Sequence, residues 1–439
     1  MRLHFLRECV AVCIPAILNF LLVGLAPLIT PATSAATDQI LEVYNPAGVR
    51  QDGTYVDKLL KQVMRATGKT KPPLAAVFPE GRTEKVTIKK DASEEINELF
   101  YKRGWADGLP IVPPTADRVK EMLAGTDLPP DKVIVAVPPK GGQATVEKIA
   151  VNAVMAGCRP EYMPVLIAAV QAVAEPGFNL SEVATSTSHD APLIIVNGPI
   201  AKQLEISGGS NALGRSWRAN ATIGRALELI INNVGGSWPG VNDMSPLGST
   251  MEFANCIAEN QEASPWSPLH VEFGRSEGSN AVTVVASESF QTVVGLGLTS
   301  KQFLDLLGDR LVGLNTGYMP ALLIILNVDS ADILKGDGFT KEAVKKHILE
   351  RARLPFSEYK KRYLSVQDRS ARVPEAVRKT TDPNTMIGSP IIDQFLILVA
   401  GGPPGEKCVI VPVWPGSKPV NKEIKVPANW EEVLKRIRN

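Results

Sequence analysis

From residue 132 onward, short apolar runs alternate with amphipathic stretches. The runs are 132–137 (KVIVAV), 191–198 (APLIIVNG), 281–286 (AVTVVA), 321–328 (ALLIILNV), 394–400 (QFLILVA) and 408–413 (CVIVPV). Each is short and rich in β-branched residues, which predicts a buried strand. Helical patterning covers 145–156, 160–174, 219–233, 300–312 and 340–352. Gly157 closes the first of these helices, and Pro160 sits in the first turn of the next, where its missing N–H costs nothing. Strands separated by helices predict an α/β fold, a layered mixed sheet with helices on both faces. Residues 401–407 (GGPPGEK) read as a hairpin-like connection between the last two strands.

The chain before residue 132 is patterned differently. Arg2 and Arg7 precede an apolar run, Cys9 to Ile29, and small residues follow to position 36. This predicts a signal peptide over 1–36, cut after Ala35 or Ala36. The rival is an uncleaved membrane anchor, since the run is long enough to span a bilayer; Pro15, Asn19 and Pro27 count against it. Cleavage places the protein in the periplasm or outside the cell. A small N-terminal segment, 37–95, carries one amphipathic helix (Tyr55 to Thr67) and a strand-like run at 85–89. The main α/β domain is 96–439. Asp91 or Ser93 caps a helix that ends near Gly104. The Gly/Pro-punctuated stretch 105–115 (WADGLPIVPPT) then predicts an ordered extended loop. In it, Trp105 and Asp107 are a packing anchor with an Asx-turn, or contacts to a substrate.

Composition narrows the partners. The chain has 439 residues, 44% of them hydrophobic, and a net charge of +1. That gives ample core and no electrostatic case for nucleic acid. The partner expected is a small molecule, a homo-oligomer is compatible, and membrane contact follows only if the N-terminal segment stays attached. Losing Cys9 and Cys13 with the signal leaves Cys158, Cys256 and Cys408. An odd number in an oxidising compartment leaves at least one thiol unpaired.

The charge pattern then points to a place. No lysine or arginine occurs between Arg225 and Arg275, while Glu228, Asp243, Glu252, Glu259, Glu262 and Glu272 fall in that interval. A surface normally mixes both signs, so a one-sign stretch suggests a site. Its second half, 255–272, adds Cys256, Trp266 and His270, with Glu259 and Glu262 as general acid/base groups or hard-cation ligands. Cys158 stands between a helix C-terminus and Arg159; it reads as a nucleophile, a ligand or a small buried hydrophobe. His189 precedes a strand beside Asp190. The Gly/Ser/Asn loop 207–222 feeds a helix near Asn220 and carries Arg215 and Arg218, a pattern suited to holding an anion. No phosphate-loop, dinucleotide or GxSxG motif is present. CxxC and HExxH are absent too, so a structural zinc is not expected. A divalent metal held across the fold by Cys158, Cys256, His189 and His270 fits the residue types, and no other cofactor is indicated.

Four strings, 105–115 (WADGLPIVPPT), 152–162 (NAVMAGCRPEY), 218–226 (RANATIGRA) and 256–272 (CIAENQEASPWSPLHVE), resemble bacterial proteins of the UGSC family of (seleno)proteins. The resemblance spans about residues 100–415, and YNPAG (44–48) is similar to the start of that family's small N-terminal region. It implies a shared fold and site. The chain departs from the family's pattern because no cysteine, and so no Gly-Ser-Cys motif, occurs between residues 37 and 157.

Two readings follow. The first is an exported enzyme acting on a small polar or anionic molecule, thiol-based or metal-assisted. Cys158 or Cys256 would be nucleophile, redox thiol or ligand; His270 or His189 would be base or ligand; Glu259 and Glu262 would move protons. Arg215, Arg218, Asn220 and Arg159 would hold the negative group, and Trp105, Asp107 and Trp266 would line the site. The second is a periplasmic binding protein without chemistry, walled by Trp105, Trp217 and Trp266. Convergence of these residues on one cavity separates the two.

Overall fold

Two four-stranded sheets stacked face to face form the centre of a computed structural model, which describes residues 39–47, 82–88, 91–215, 217–314, 316–365 and 372–438. The expected signal peptide and the helix from Tyr55 to Thr67 lie outside the described residues.

The chain enters through a small sheet of β1 (Gln39–Tyr44) and β2 (Thr83–Ile88). Helix α1 (Ala92–Lys102) follows, with the Asp91 side chain accepting from the Glu94 N–H as a cap should. Next come α2 (Ala116–Leu123), the hairpin of β3 (Val133–Val137) and β4 (Gly142–Thr145), and then α3 (Val146–Ala156) and α4 (Met163–Val173). Gly157 ends α3 at φ 85°, a left-handed conformation that a side chain would strain. The buried strand expected at 132–137 is instead a partly exposed hairpin strand outside both large sheets, with Val133 46% exposed.

The first large sheet is ordered β14 (Val420–Glu423), β7 (Ala281–Ser287), β5 (Ala191–Asn197), β6 (Cys256–Ala258). β5 runs parallel to β6 and antiparallel to β7. The second sheet is ordered β12 (Ile391–Val399), β9 (Tyr318–Leu326), β13 (Lys407–Pro412), β8 (Gln291–Val294). β12 is parallel to β9, whereas β13 is antiparallel to it. Residues 401–407 are therefore not a hairpin: they cross the end of β9, where Asn327 Nδ2 donates to the carbonyls of Gly402 (3.2 Å) and Gly405 (2.8 Å). A small pair, β10 (Arg353–Pro355) with β11 (Met386–Gly388), lies outside both.

Strand alternation assigns the layers. Leu193, Ile195, Ile257 and Val285 of the first sheet share a core with Leu323, Ile325, Leu396, Leu398 and Val411 of the second. Their neighbours face outward: Ile194, Val196, Cys256, Val282 and Val284 pack on α3, α4 and the helix α5 (Arg218–Ile230). On the other side Leu322, Ile324, Ile397, Cys408 and Ile410 pack on α6 (Ser300–Val312) and α8 (Lys341–Arg351). Helix α7 (Val328–Gly336) lies beside them in sequence, and α9 (Trp430–Arg438) closes the chain on the first layer. The order is helix, sheet, sheet, helix. The expected helices on both faces are present, with the sheet layer between them doubled. Each fully buried Leu, Ile or Val contributes about 1.5–3 kcal/mol, so the three cores dominate the fold's stability.

From Ile40 on, the described residues of the N-terminal segment belong to the same unit as the rest, Ile40–Asn439. Val43 bridges Thr115, Asn152 Nδ2 donates to the Pro46 carbonyl (3.3 Å), and Arg82 pairs with Glu147 on α3. Among the described residues no helix is long and apolar enough to cross a membrane.

Candidate functional site

Helix α5 organises the most distinctive chemistry. Ala219, Ile223, Ala226, Leu227 and Ile230 bury its apolar stripe in the first core. Arg218, Thr222, Arg225 and Glu228 recur at three- and four-residue spacing and so share another face. Arg225 makes a two-pronged ion pair with Asp107 (2.7 and 2.8 Å) and also donates to the carbonyls of Leu109 (3.2 Å) and Pro110 (3.0 Å). It thereby clamps the loop 105–115 onto the helix. Trp105 anchors the start of that loop, edge-on to Phe100 and almost fully buried, and its carbonyl accepts from Asn233 Nδ2 (3.0 Å).

At the C-terminal end of α5 lies a cavity of about 380 Å³. The helix continues there as a π-turn, Ile231–Gly235, and Ile231 and Asn232 line the space. Such turns recur at functional sites. The walls carry five carboxyl groups, Asp107, Asp190, Glu228, Asp243 and Glu252, among apolar and aromatic surfaces from Leu180, Val183, Val241, Trp238 and Phe253. Three of the five are held. Asp107 has Arg225, Asp243 accepts from the Ser245 N–H (3.0 Å), and Glu252 accepts from the Ser249 N–H (3.0 Å). Both oxygens of Asp190 and Oε1 of Glu228 are sealed from solvent and accept no hydrogen bond among the described residues.

Burial and mutual repulsion set their charge. Desolvation, with Glu288 nearby, pushes Asp190 up to about 8; Ser186 and Ser188 oppose the rise from positions that make no well-formed hydrogen bond to it. Glu228 lies well above the usual carboxylate range through burial, with Glu252 and Asp243 adding to it. Asp243 and Glu252 are raised by burial as well. The nearby cation Lys140 packs on Trp238, 3.9 Å from the ring centroid, and burial lowers it to about 8.

A second cavity, about 430 Å³, lies at the N-terminal end of α5. It brings together Cys158, Arg159 and Arg218 from the expected set, with Arg118, Glu121 and Glu161. A third, about 1000 Å³, lies off the C-terminal ends of β5 and β6, where Arg159, Glu259 and Glu262 meet Lys202 and Glu277.

The remaining expected site residues have structural surroundings. Cys256 is buried in β6, and desolvation raises its thiol. Cys158 donates to the Thr222 carbonyl (3.2 Å), and burial pushes it up to about 12, so neither thiol is activated. His270 is fully buried with Nε2 3.1 Å from the carbonyls of both Ser276 and Glu277; those acceptors place the proton on Nε2, and burial lowers its pKa. Asn220 braces the 207–222 loop through the Ser207 N–H and carbonyl and the Ala212 carbonyl. Arg215 is exposed, and Trp217, 41% exposed, donates to the Ser210 carbonyl. Trp266 packs into the second core and donates to the Phe339 carbonyl. Glu262 forms an exposed pair with Lys202, and Glu272 pairs with Lys341 and Lys345. Lysines from outside the base-free stretch therefore pair with its Glu262 and Glu272. Glu259 is buried, with Oε2 accepting from Asn197 Nδ2 (2.6 Å) and the Leu269 N–H (2.7 Å); burial raises it. His189 is half-buried, next to the cavity-lining Asp190.

The expected Cys/His/Glu constellation is thus divided between cavities and cores. The three cysteines are free, and among the described residues no three His, Cys, Asp or Glu side chains are grouped to hold a metal. The five-carboxyl cavity was missed as a unit. Its signal lies in the first half of the base-free stretch, in Glu228, Asp243 and Glu252, with Trp238 and Phe253 interspersed and adjacent in sequence. A scan against protein-family models finds no match to this chain, and a search of the curated proteins finds no relative.

Proposed function

We propose that the protein binds a small organic cation in the five-carboxyl cavity, with Asp190 and Glu228 as the groups that meet its charge. One observation carries the reading: two carboxyl side chains with sealed, unpartnered oxygens line a cavity of ligand size with apolar and aromatic walls. An unpartnered buried carboxyl is costly unless a donor or a cation completes it. The C-terminal end of α5 adds partial negative charge, which favours the same sign of ligand. The aromatic face of Phe253 suits an alkylammonium group.

Asp190, pushed up to about 8, would also hold or release a proton near neutral pH, as acid–base chemistry on such a ligand requires. This reading keeps the small polar molecule of the first expectation and changes both its charge and the residues that meet it. The thiol-based mechanism drops out, because Cys158 and Cys256 are held as buried thiols. Export remains part of the proposal through the N-terminal signal pattern, and N-terminal sequencing of the protein recovered from the producing cell tests it.

Thermal unfolding with a series of alkylammonium ions, each matched to an uncharged isostere, tests the binding claim. The cations are expected to raise Tm in the unaltered protein and to lose that effect in Glu228→Gln. Equal stabilisation by the isosteres would sink the proposal.

A further inference from the structure

The arginine-lined cavity at the other end of α5 lies outside the reading above. Three guanidiniums from separate segments face it: Arg118 on α2, Arg159 after α3, and Arg218 at the first position of α5. Among the described residues, the contacts of each leave most of its five donors unused. Arg118 Nη1 donates to the Pro113 carbonyl (3.1 Å). Arg218 donates twice to the Gly157 carbonyl (3.2 and 3.1 Å), the C-cap of α3. Arg159 Nη1 stands 3.8 Å from Glu161, too far for a hydrogen bond. The N-terminus of α5 adds partial positive charge on the same side.

Glu161 gives the cavity a second chemistry. It is only 4% exposed, and its Oε1 accepts no hydrogen bond among the described residues. A cavity meant for a bare anion would not bring a buried carboxyl up beside its guanidiniums. A ligand that offers a carboxylate to the arginines and a donor to Glu161 satisfies both. Val112, Met122, Val154 and Val433 complete the walls with apolar surface. We propose that this cavity binds a small aliphatic carboxylic acid bearing an amino or hydroxyl group on the α-carbon. The arginines take the carboxylate and Glu161 takes the α-substituent.

Titration calorimetry of the full chain tests this with four probes: leucine, its α-hydroxy analogue, 4-methylpentanoate and inorganic phosphate. Leucine or the hydroxy acid is expected to bind about tenfold or more tightly than 4-methylpentanoate, which lacks only the α-substituent. Arg159→Gln should weaken the favoured acid by about tenfold. Glu161→Gln should erase the preference while leaving 4-methylpentanoate binding in place. Equal binding of the substituted and unsubstituted acids, preference for phosphate, or no binding by any of the four would overturn the proposal. If Glu161→Gln fails to fold, the comparison of leucine with 4-methylpentanoate on the unaltered protein decides alone. Alkylammonium binding at the other cavity serves as an internal control, since neither substitution touches it.

Discussion

The two cavities at the ends of α5 are similar in size, about 380 and 430 Å³, and opposite in chemistry. One gathers carboxyls at the helix C-terminus; the other gathers guanidiniums at its N-terminus. In each, the more numerous charged side chains carry the sign of the helix's own partial charge, although Glu121 and Glu161 stand among the guanidiniums, so each end favours a ligand group of the opposite sign. The contrast teaches that one helix can hold two polar sites if its remaining face is buried firmly enough. Here Ala219, Ile223, Leu227 and Ile230 supply that burial. Between the sites stands Arg225, clamping the loop 105–115. Asp107 and Gly108 of that loop line the acidic cavity, and Val112 lines the arginine cavity.

Breaking the clamp is the most damaging way to test the comparison. Arg225→Met strands Asp107, whose side chain is 9% exposed against 14% for Arg225. The expected cost is about 3–5 kcal/mol in denaturant unfolding, with both cavities impaired. A cost below about 1 kcal/mol would mean that the loop is held by something else.

The next largest effect should separate the two ends. Replacing the protonated carboxyls in Asp190→Asn with Glu228→Gln is expected to stabilise the protein by about 1–3 kcal/mol, because folding at neutral pH no longer has to protonate two groups that are ionised in the unfolded chain. It should abolish alkylammonium binding and leave acid binding at the arginine cavity unchanged. Destabilisation would show that these groups already have partners.

The pH dependence sharpens the same point. Asp190 rises from the usual carboxylate range to about 8 on folding, so between about pH 4 and pH 8 the folded state binds the proton and the unfolded state does not. Stability should be fullest below the unfolded value and fall as pH rises through 8. Asp190→Asn should flatten that slope, as followed by Tm against pH. A slope of the opposite sign would contradict the assignment.

The smallest effects belong to the thiols. Cys158→Ala and Cys256→Ala should each cost about 1 kcal/mol in stability from lost packing, with ligand binding at the acidic cavity intact. Loss of that binding in either variant would return the thiols to the site.

Much of this was legible in the sequence, for physical reasons. β5, β7, β9, β12 and β13 are apolar runs buried on both faces, so their composition announces them. Thr145, Gly157 and Pro160 mark helix boundaries by local backbone chemistry alone. What could not be read was pairing between distant segments. Nothing local tells 401–407 to cross over β9, or the sheet to divide in two. The same holds for the site. The base-free stretch from Ala226 to Gly274 supplies Glu228, Asp243 and Glu252 to the acidic cavity, all from its first half, while Cys256 and His270 stand in its second half. There Glu259, Glu262 and Glu272 find their partners in Asn197, Lys202 and Lys341. In the acidic cavity the carboxyl oxygens without a partner among the described residues are Glu228 Oε1, in the first half, and both oxygens of Asp190, from a strand start 38 residues earlier in the chain.

The claim that the acidic cavity is built for a cation is tested most directly by calorimetry of one alkyltrimethylammonium ion in two buffers of different ionisation heat at neutral pH. The account predicts binding with release of protons to the buffer, as the cation displaces them from Asp190 and Glu228, and no such release for the uncharged isostere. Binding of the isostere with equal affinity, or cation binding with no proton exchanged, would contradict it.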